Sequence, residues 1–140
     1  MDIDSVAAFY QQLDKSNLHT LPNIYHQDVV FEDPAHRMHG INSLEQYFIS
    51  MYRSVNSCQF DIHTAEQVGD HGYIRWLMRL SHARLANGEP IEVEGITYVE
   101  FAEGKVIHHR DYFDLGAMLY EKLPVLGRLI TAIKHKLGQS

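Results

Sequence analysis

The sequence predicts an α+β fold: a curved, mostly antiparallel sheet wrapped over N-terminal helices to form a cone-shaped barrel. Three observations predict it. Apolar residues recur at helical spacing as far as Val55, the period changes to two from Cys58 onward, and turn dipeptides punctuate the second part at Asn87-Gly88 and Glu103-Gly104. Helices followed by a meander place the helices on one face of one sheet. A sheet that curves over helices encloses a cavity, and such cavities are where small molecules bind.

The elements follow in order. Asp4 or Ser5 caps a first helix with Val6, Phe9, Tyr10 and Leu13 on one face. LHTLPNIYHQD reads as a second short helix, with Pro22 tolerated in its first turn. Val29 to Asp33 is a short strand. Ser43 with Gln46 fits a capping box for a third helix, on which Leu44, Tyr47, Phe48, Met51, Tyr52 and Val55 form one apolar stripe. Cys58, Phe60 and Ile62 then alternate with polar neighbours, and so do Ile74, Trp76, Met78, Leu80 and His82. Asn87-Gly88 turns the chain into Ile91, Val93, Gly95, Thr97, Val99 and Phe101, which share one face of a strand. The next strand is KVIHHRDYF, with Ile107, His109, Asp111 and Phe113 on one face. Asp114 caps a short helix through Met118 and Leu119. An amphipathic helix over about 124–137 closes the chain, following Pro124, with Leu126, Leu129, Ile130, Ile133 and Leu137 on its apolar side.

Composition bounds the function. The 140 residues fit a single domain, 1–140, and contain no internal repeat. A net charge of −6 argues against a nucleic-acid footprint. The single cysteine, Cys58, allows no internal disulfide and suits a reducing compartment. MDIDSVAAFY resembles neither a signal peptide nor a membrane span, so a cytoplasmic location is expected. The 10 histidines include no helical i, i+4 pair with a third ligand at a recognisable spacing, so no metal site is expected.

VVFEDPAHRMHG, at 29–40, raises the question of function. Strand alternation turns Val29, Phe31 and Asp33 to one side and Glu32 to the other. An Asp before Pro often ends a strand, and that reading of Asp33 stands beside a second, in which it projects into an apolar cavity suited to proton transfer. Asp111 has the same two readings: a cavity carboxylate facing Asp33, or the partner of an arginine such as Arg79 or Arg75. Two carboxylates in one apolar pocket would be pushed apart in pKa, leaving a base and an acid.

With these motifs the chain resembles the nuclear transport factor 2 and ketosteroid isomerase superfamily, in particular its SnoaL-like branch. VFEDP (30–34) is similar to the motif whose Asp is the general base of ketosteroid isomerases, which implies that role for Asp33. Phe9 and Thr97 stand where those enzymes place their oxyanion donors. GKVIHHRDYFDLG (104–116) is similar to the closing strand of limonene-epoxide hydrolases, which implies a water-activating place for Asp111. The Arg-x-Asp pair of those hydrolases has no counterpart in RWLMRLSH, where Met78 and Leu80 point inward.

The expected catalytic pair is therefore Asp33 and Asp111. Phe9, Phe31, Phe48, Tyr52, Trp76, Met78 and Phe113 would line the ligand's apolar surface, with Thr97, His82 and His109 beside it and His39 at the mouth. The expected ligand is a small apolar molecule, the expected cofactor none, and the expected assembly a homodimer formed through the outer face of the sheet. On that face Glu92, Glu94 and Glu100 are set against Arg75 and Arg79. Cofactor-free acid–base catalysis on a carbonyl-containing or polyketide-like molecule is one functional reading. The other is a non-catalytic binding or interaction module. The basic C-terminal helix has three readings: lid, subunit contact or membrane surface.

Overall fold

A computed structural model describes residues 1–118 and 126–139. Leu119 and Pro124, to which the sequence assigned a helix end and a helix start, lie outside the described residues. The described chain is α+β, with a six-stranded mixed sheet in the order β2-β1-β6-β5-β4-β3. The strands are β1 (Tyr25–Glu32), β2 (Arg37–His39), β3 (Val55–Val68), β4 (His71–His82), β5 (Ile91–Ala102) and β6 (Lys105–Phe113). The helices are α1 (Ile3–Gln12), α2 (Ile41–Tyr52), α3 (Leu115–Met118) and α4 (Leu126–Gly138). All strand pairs are antiparallel except β1 with β6, which is parallel.

Helix α1 is capped by Asp2, two residues before the expected Asp4 and three before Ser5, and the Asp2 carboxylate accepts from Ser5 N at 2.9 Å. The earlier start brings Ile3 into the core, where it is 4% exposed. Of the expected second helix, only a 3₁₀ turn over Leu18–Asn23 forms. Tyr25 to Asp28 instead extend β1, because Tyr25 pairs with Val106 on β6 and buries its ring. A parallel partner overrides a weak local helical preference. Strand β1 ends at Glu32, leaving Asp33 in the turn. Helix α2 begins at Ile41 after Gly40, whose φ of 91° suits only glycine, so Ser43 lies inside the first turn and the capping box does not form.

The alternation on β4 and β5 is as expected, with Ile74, Trp76, Met78 and Leu80 buried on one strand and Ile91, Val93, Thr97 and Val99 on the next. On β6 the inward row is interrupted. Glu100 pairs with His108 and Phe101 with Val106, so a bulge falls at Ile107 and Val106 takes the buried place expected for Ile107. Beyond the bulge His109, Asp111 and Phe113 face inward as expected. Glu103 and Gly104 have φ values of 54° and 75°, the left-handed pair a two-residue hairpin needs. Asp114 caps α3, its carboxylate accepting from Ala117 N at 3.1 Å.

Helix α1 packs on β3 and β4 and α2 on β1, which leaves space over the central strands. Gly95 sets the depth of that space. It sits opposite Trp76, and the indole lies where a Cβ on residue 95 would stand. Gly95→Ala should push Trp76 off the strand and cost about 1–3 kcal/mol of stability, read from the midpoint of urea unfolding with the slope unchanged.

Candidate active site

Between helices and sheet lies a cavity of about 430 Å³. Its apolar walls come from every layer: Phe31 on β1, Phe48 and Tyr52 on α2, Phe60 on β3, Trp76, Met78 and Leu80 on β4, and Phe113 on β6. Its polar groups are few: Tyr10, Asp33, His36, Tyr47, Ser50, the Tyr52 hydroxyl, His82 and Asp111. Asp33 and Asp111 thus border the same space.

The Asp111 side chain is 19% exposed and has no arginine partner among the described residues. Arg79 is taken by Asp61 and Glu92, and Arg110 by Glu32 at 3.4 Å. The Asp111 carboxylate instead accepts from Thr97 Oγ1 at 2.6 Å and from His109 Nε2 at 2.7 Å. The Thr97 hydroxyl in turn accepts from the Trp76 indole N–H at 2.8 Å. His109 is fully buried, and Phe31 stacks on its ring at 4.4 Å. Its Nδ1 lies 2.9 Å from the Tyr25 hydroxyl, which is hydrogen-bonded to the Tyr10 hydroxyl. A carboxylate only accepts, so Nε2 carries the ring proton. In the singly protonated ring Nδ1 then accepts from Tyr25, and Tyr25 accepts from Tyr10. Burial pushes both phenols well above their ordinary pKa.

Asp33 is both of the things the sequence offered. It ends the strand, because its carboxylate accepts from the backbone of Ala35 at 2.9 Å and of His36 at 2.8 Å, closing the turn into β2. It also borders the cavity, where Tyr47 Oη donates to it at 2.5 Å and His36 Nδ1 lies at 3.0 Å. Burial alone pushes its pKa up, the direction that would suit proton transfer near neutral pH. The hydrogen bonds from Tyr47, Ala35 and His36 outweigh that, and the net position is below the usual carboxylate value. Burial and the Asp33 charge hold the Tyr47 phenol far above its own. Glu32, on the opposite face, is clamped by His108 at 2.8 Å, Arg37 at 3.2 Å and Arg110.

Four expected ligand residues sit elsewhere. Phe9 turns into the core edge-on to Tyr10 and Tyr25, and Tyr10, one helical step on, takes the cavity position. His39 is exposed on β2, and His36 fills the mouth position. Thr97 and His109 lie behind the wall and hold Asp111. Phe31, Phe48, Tyr52, Trp76, Met78, His82 and Phe113 all border the cavity. Tyr47 belongs to the apolar stripe in the sequence, and only its hydroxyl, met by Asp33 in three dimensions, marks it as polar machinery. Cys58 also borders the cavity, and burial pushes its thiol up to about 11, so it is not a ready nucleophile. Among the described residues no group of three or more His, Cys, Asp and Glu could hold a metal ion, and no helix is long and apolar enough to cross a membrane.

A curved six-stranded sheet wrapped over helices, with an apolar cavity and a few convergent polar groups between them, is the architecture of the nuclear transport factor 2-like class. The chain belongs to the SnoaL-like domain family, whose model matches residues 6–109. No curated protein matches it. Among solved structures it is similar to a hypothetical protein with a ketosteroid isomerase-like fold from Catenulispora acidiphila, in complex with trimethylamine. That match has 18% identity and a TM-score of 0.75 over 87% of this chain and 94% of that one. An epoxide hydrolase from M. tuberculosis of the limonene-epoxide hydrolase-like kind matches at 22% identity and a TM-score of 0.71, covering 93% of this chain and 95% of that one. TerC, co-crystallised with polyporic acid, matches at 14% identity and a TM-score of 0.71, covering 82% and 92%. Identities this low establish the shared fold.

The lowered pKa of Asp33 gives a pH prediction. A depressed carboxylate stabilises the fold fully above its unfolded value of about 3.9 and loses that contribution as pH falls through the folded value. Asp33→Asn should therefore cost about 2 kcal/mol at pH 7. In thermal unfolding at a series of pH values, the gap between wild type and variant should close below about pH 4.

Proposed function

We propose that the protein is a cofactor-free acid–base enzyme acting on a small, largely apolar molecule that carries a carbonyl or enolic group. The observation that carries this reading is Asp111: a carboxylate with no lysine or arginine partner among the described residues, held by Thr97 and His109, with an edge open to an apolar cavity. Such a group removes a proton beside a carbonyl and returns it, the chemistry of an isomerase or cyclase. Asp33, held ionised by Tyr47, His36 and two backbone N–H groups, is the second carboxylate of the pair and receives the polar end of the ligand. The polyporic acid bound by TerC is a ligand of the kind this reading requires. The outer sheet face, with Tyr73 44%, Ile96 43% and Tyr112 52% exposed, supports assembly as a homodimer, and the location proposed with it is the cytoplasm, which the single cysteine suits.

The test is solvent deuterium exchange at the α-carbon of 2-tetralone and related cyclic ketones, followed by NMR. The wild type should accelerate exchange, and Asp111→Asn should lower the rate at least about 100-fold. Exchange no faster than in buffer across the panel, or equal in wild type and Asp111→Asn, sinks the proposal.

A further inference from the structure

The chain of hydrogen bonds Tyr10–Tyr25–His109–Asp111 begins and ends on the same cavity. Tyr10 and Asp111 border it, while Tyr25 at 1% exposure and His109 at 0% lie behind the wall. Every polar atom along the path is engaged, and the Asp111 end is pinned by Thr97. This is the logic of a nucleophile or base oriented through a histidine by a carboxylate, with two tyrosines in series on the outer side of the ring.

We propose that Tyr10 is a second proton-exchange residue of the site, wired through Tyr25 to His109, and that the ligand it serves bears an acidic hydroxyl on a conjugated system, a phenol or an enol. The proposal rests on the function given above and names the substrate class. The step is a concerted shift. The ligand hydroxyl proton passes to Tyr10 Oη as Tyr10 gives its own to Tyr25 Oη and Tyr25 gives its own to His109 Nδ1. The O–H bond of the ligand breaks and an N–H bond forms on the ring. The ligand is left as an oxyanion and His109 as an imidazolium, whose Nε2–H stays on the Asp111 carboxylate. Return of the proton retraces the same bonds to the ligand and restores the starting tautomer. Neither phenol holds charge at rest, which accords with burial that disfavours phenolate at both. Tyr10 touches the ligand, and Tyr25 and His109 act through it as positioning and relay residues.

Two measurements on the full chain test this. In ¹⁵N-histidine spectra of the unliganded protein, His109 should carry its proton on Nε2. Tyr25→Phe, which keeps the ring and removes the hydroxyl, should move the Nδ1 resonance toward that of a free imine nitrogen. A His109 protonated at Nδ1, or an Nδ1 resonance indifferent to Tyr25→Phe, overturns the relay whatever the activity. The second measurement uses 4-nitrophenol, whose ionisation is read by absorbance. Bound to the wild type it should ionise at lower pH than in buffer. Tyr10→Phe and Tyr25→Phe should each abolish that shift, and the double variant should match either single one, as expected of groups acting as one unit. Equal ionisation in wild type and Tyr25→Phe overturns the proposal. A normal relay signature together with ketone exchange indifferent to Asp111→Asn removes the acid–base function and leaves the relay standing.

Discussion

The hydrogen bond between the Tyr25 hydroxyl and His109 Nδ1 joins residues 84 positions apart and ties the one parallel strand pair of the sheet from inside the core. Both residues are buried, so an unpaired hydroxyl or ring nitrogen there would cost about 1–3 kcal/mol. That penalty fixes the register of β1 against β6, and the register in turn decides what reaches the cavity. With Phe31 opposite His109, the Phe31 ring stacks on the imidazole, and the β1 turn that follows carries Asp33. The bulge at Ile107 serves the same end. It brings Val106 and His109 inward together, which strict alternation would forbid.

The site is built from core positions. Trp76 is a wall of the cavity and also the donor that orients Thr97, which orients Asp111. The absence of a side chain on Gly95 is what lets the indole lie that close to the sheet. A polar network at this depth rigidifies a core when every member is satisfied and destabilises it when one is not. Among the described residues no buried side-chain nitrogen or oxygen lacks a partner. The two carboxylates are handled differently within this frame. Asp33 is surrounded by donors and drawn toward the ionised form, whereas Asp111 is anchored through one oxygen by Thr97 and His109.

The outer face has its own organisation. Glu32 collects His108, Arg37 and Arg110, and Arg110 lies over the Tyr112 ring at 4.9 Å. Arg79 bridges Asp61 and Glu92, the cross-strand pairing that its position opposite Glu92 allows, while Arg75 falls opposite Ile96. On α4, Leu129, Ile133 and Leu137 are 57%, 50% and 68% exposed, and Lys134 reaches Asp114 at the end of β6. None of the described α4 residues borders the cavity.

The sequence by itself determined the elements whose residues point one way at a regular period. The α2 stripe as far as Tyr52, the inward rows of β4 and β5 and the hairpin at Glu103-Gly104 follow from amphipathic spacing and turn chemistry, which are local properties, whereas Val55, the stripe's expected last member, opens β3. It also marked Asp33 and Asp111, because a carboxylate in an apolar row is rare and visible. Long-range pairing decided the rest. Tyr25 to Asp28 became strand only because β6 offers a parallel partner, and Ile107 lost its place to a bulge that no local pattern encodes. Tyr10 replaced Phe9 and His36 replaced His39 by one helical step and by the path of a turn. Thr97 and His109 became supports of Asp111, with Tyr25 behind them. Which donor meets which acceptor depends on packing between residues far apart in the chain, and only the tertiary structure sets that.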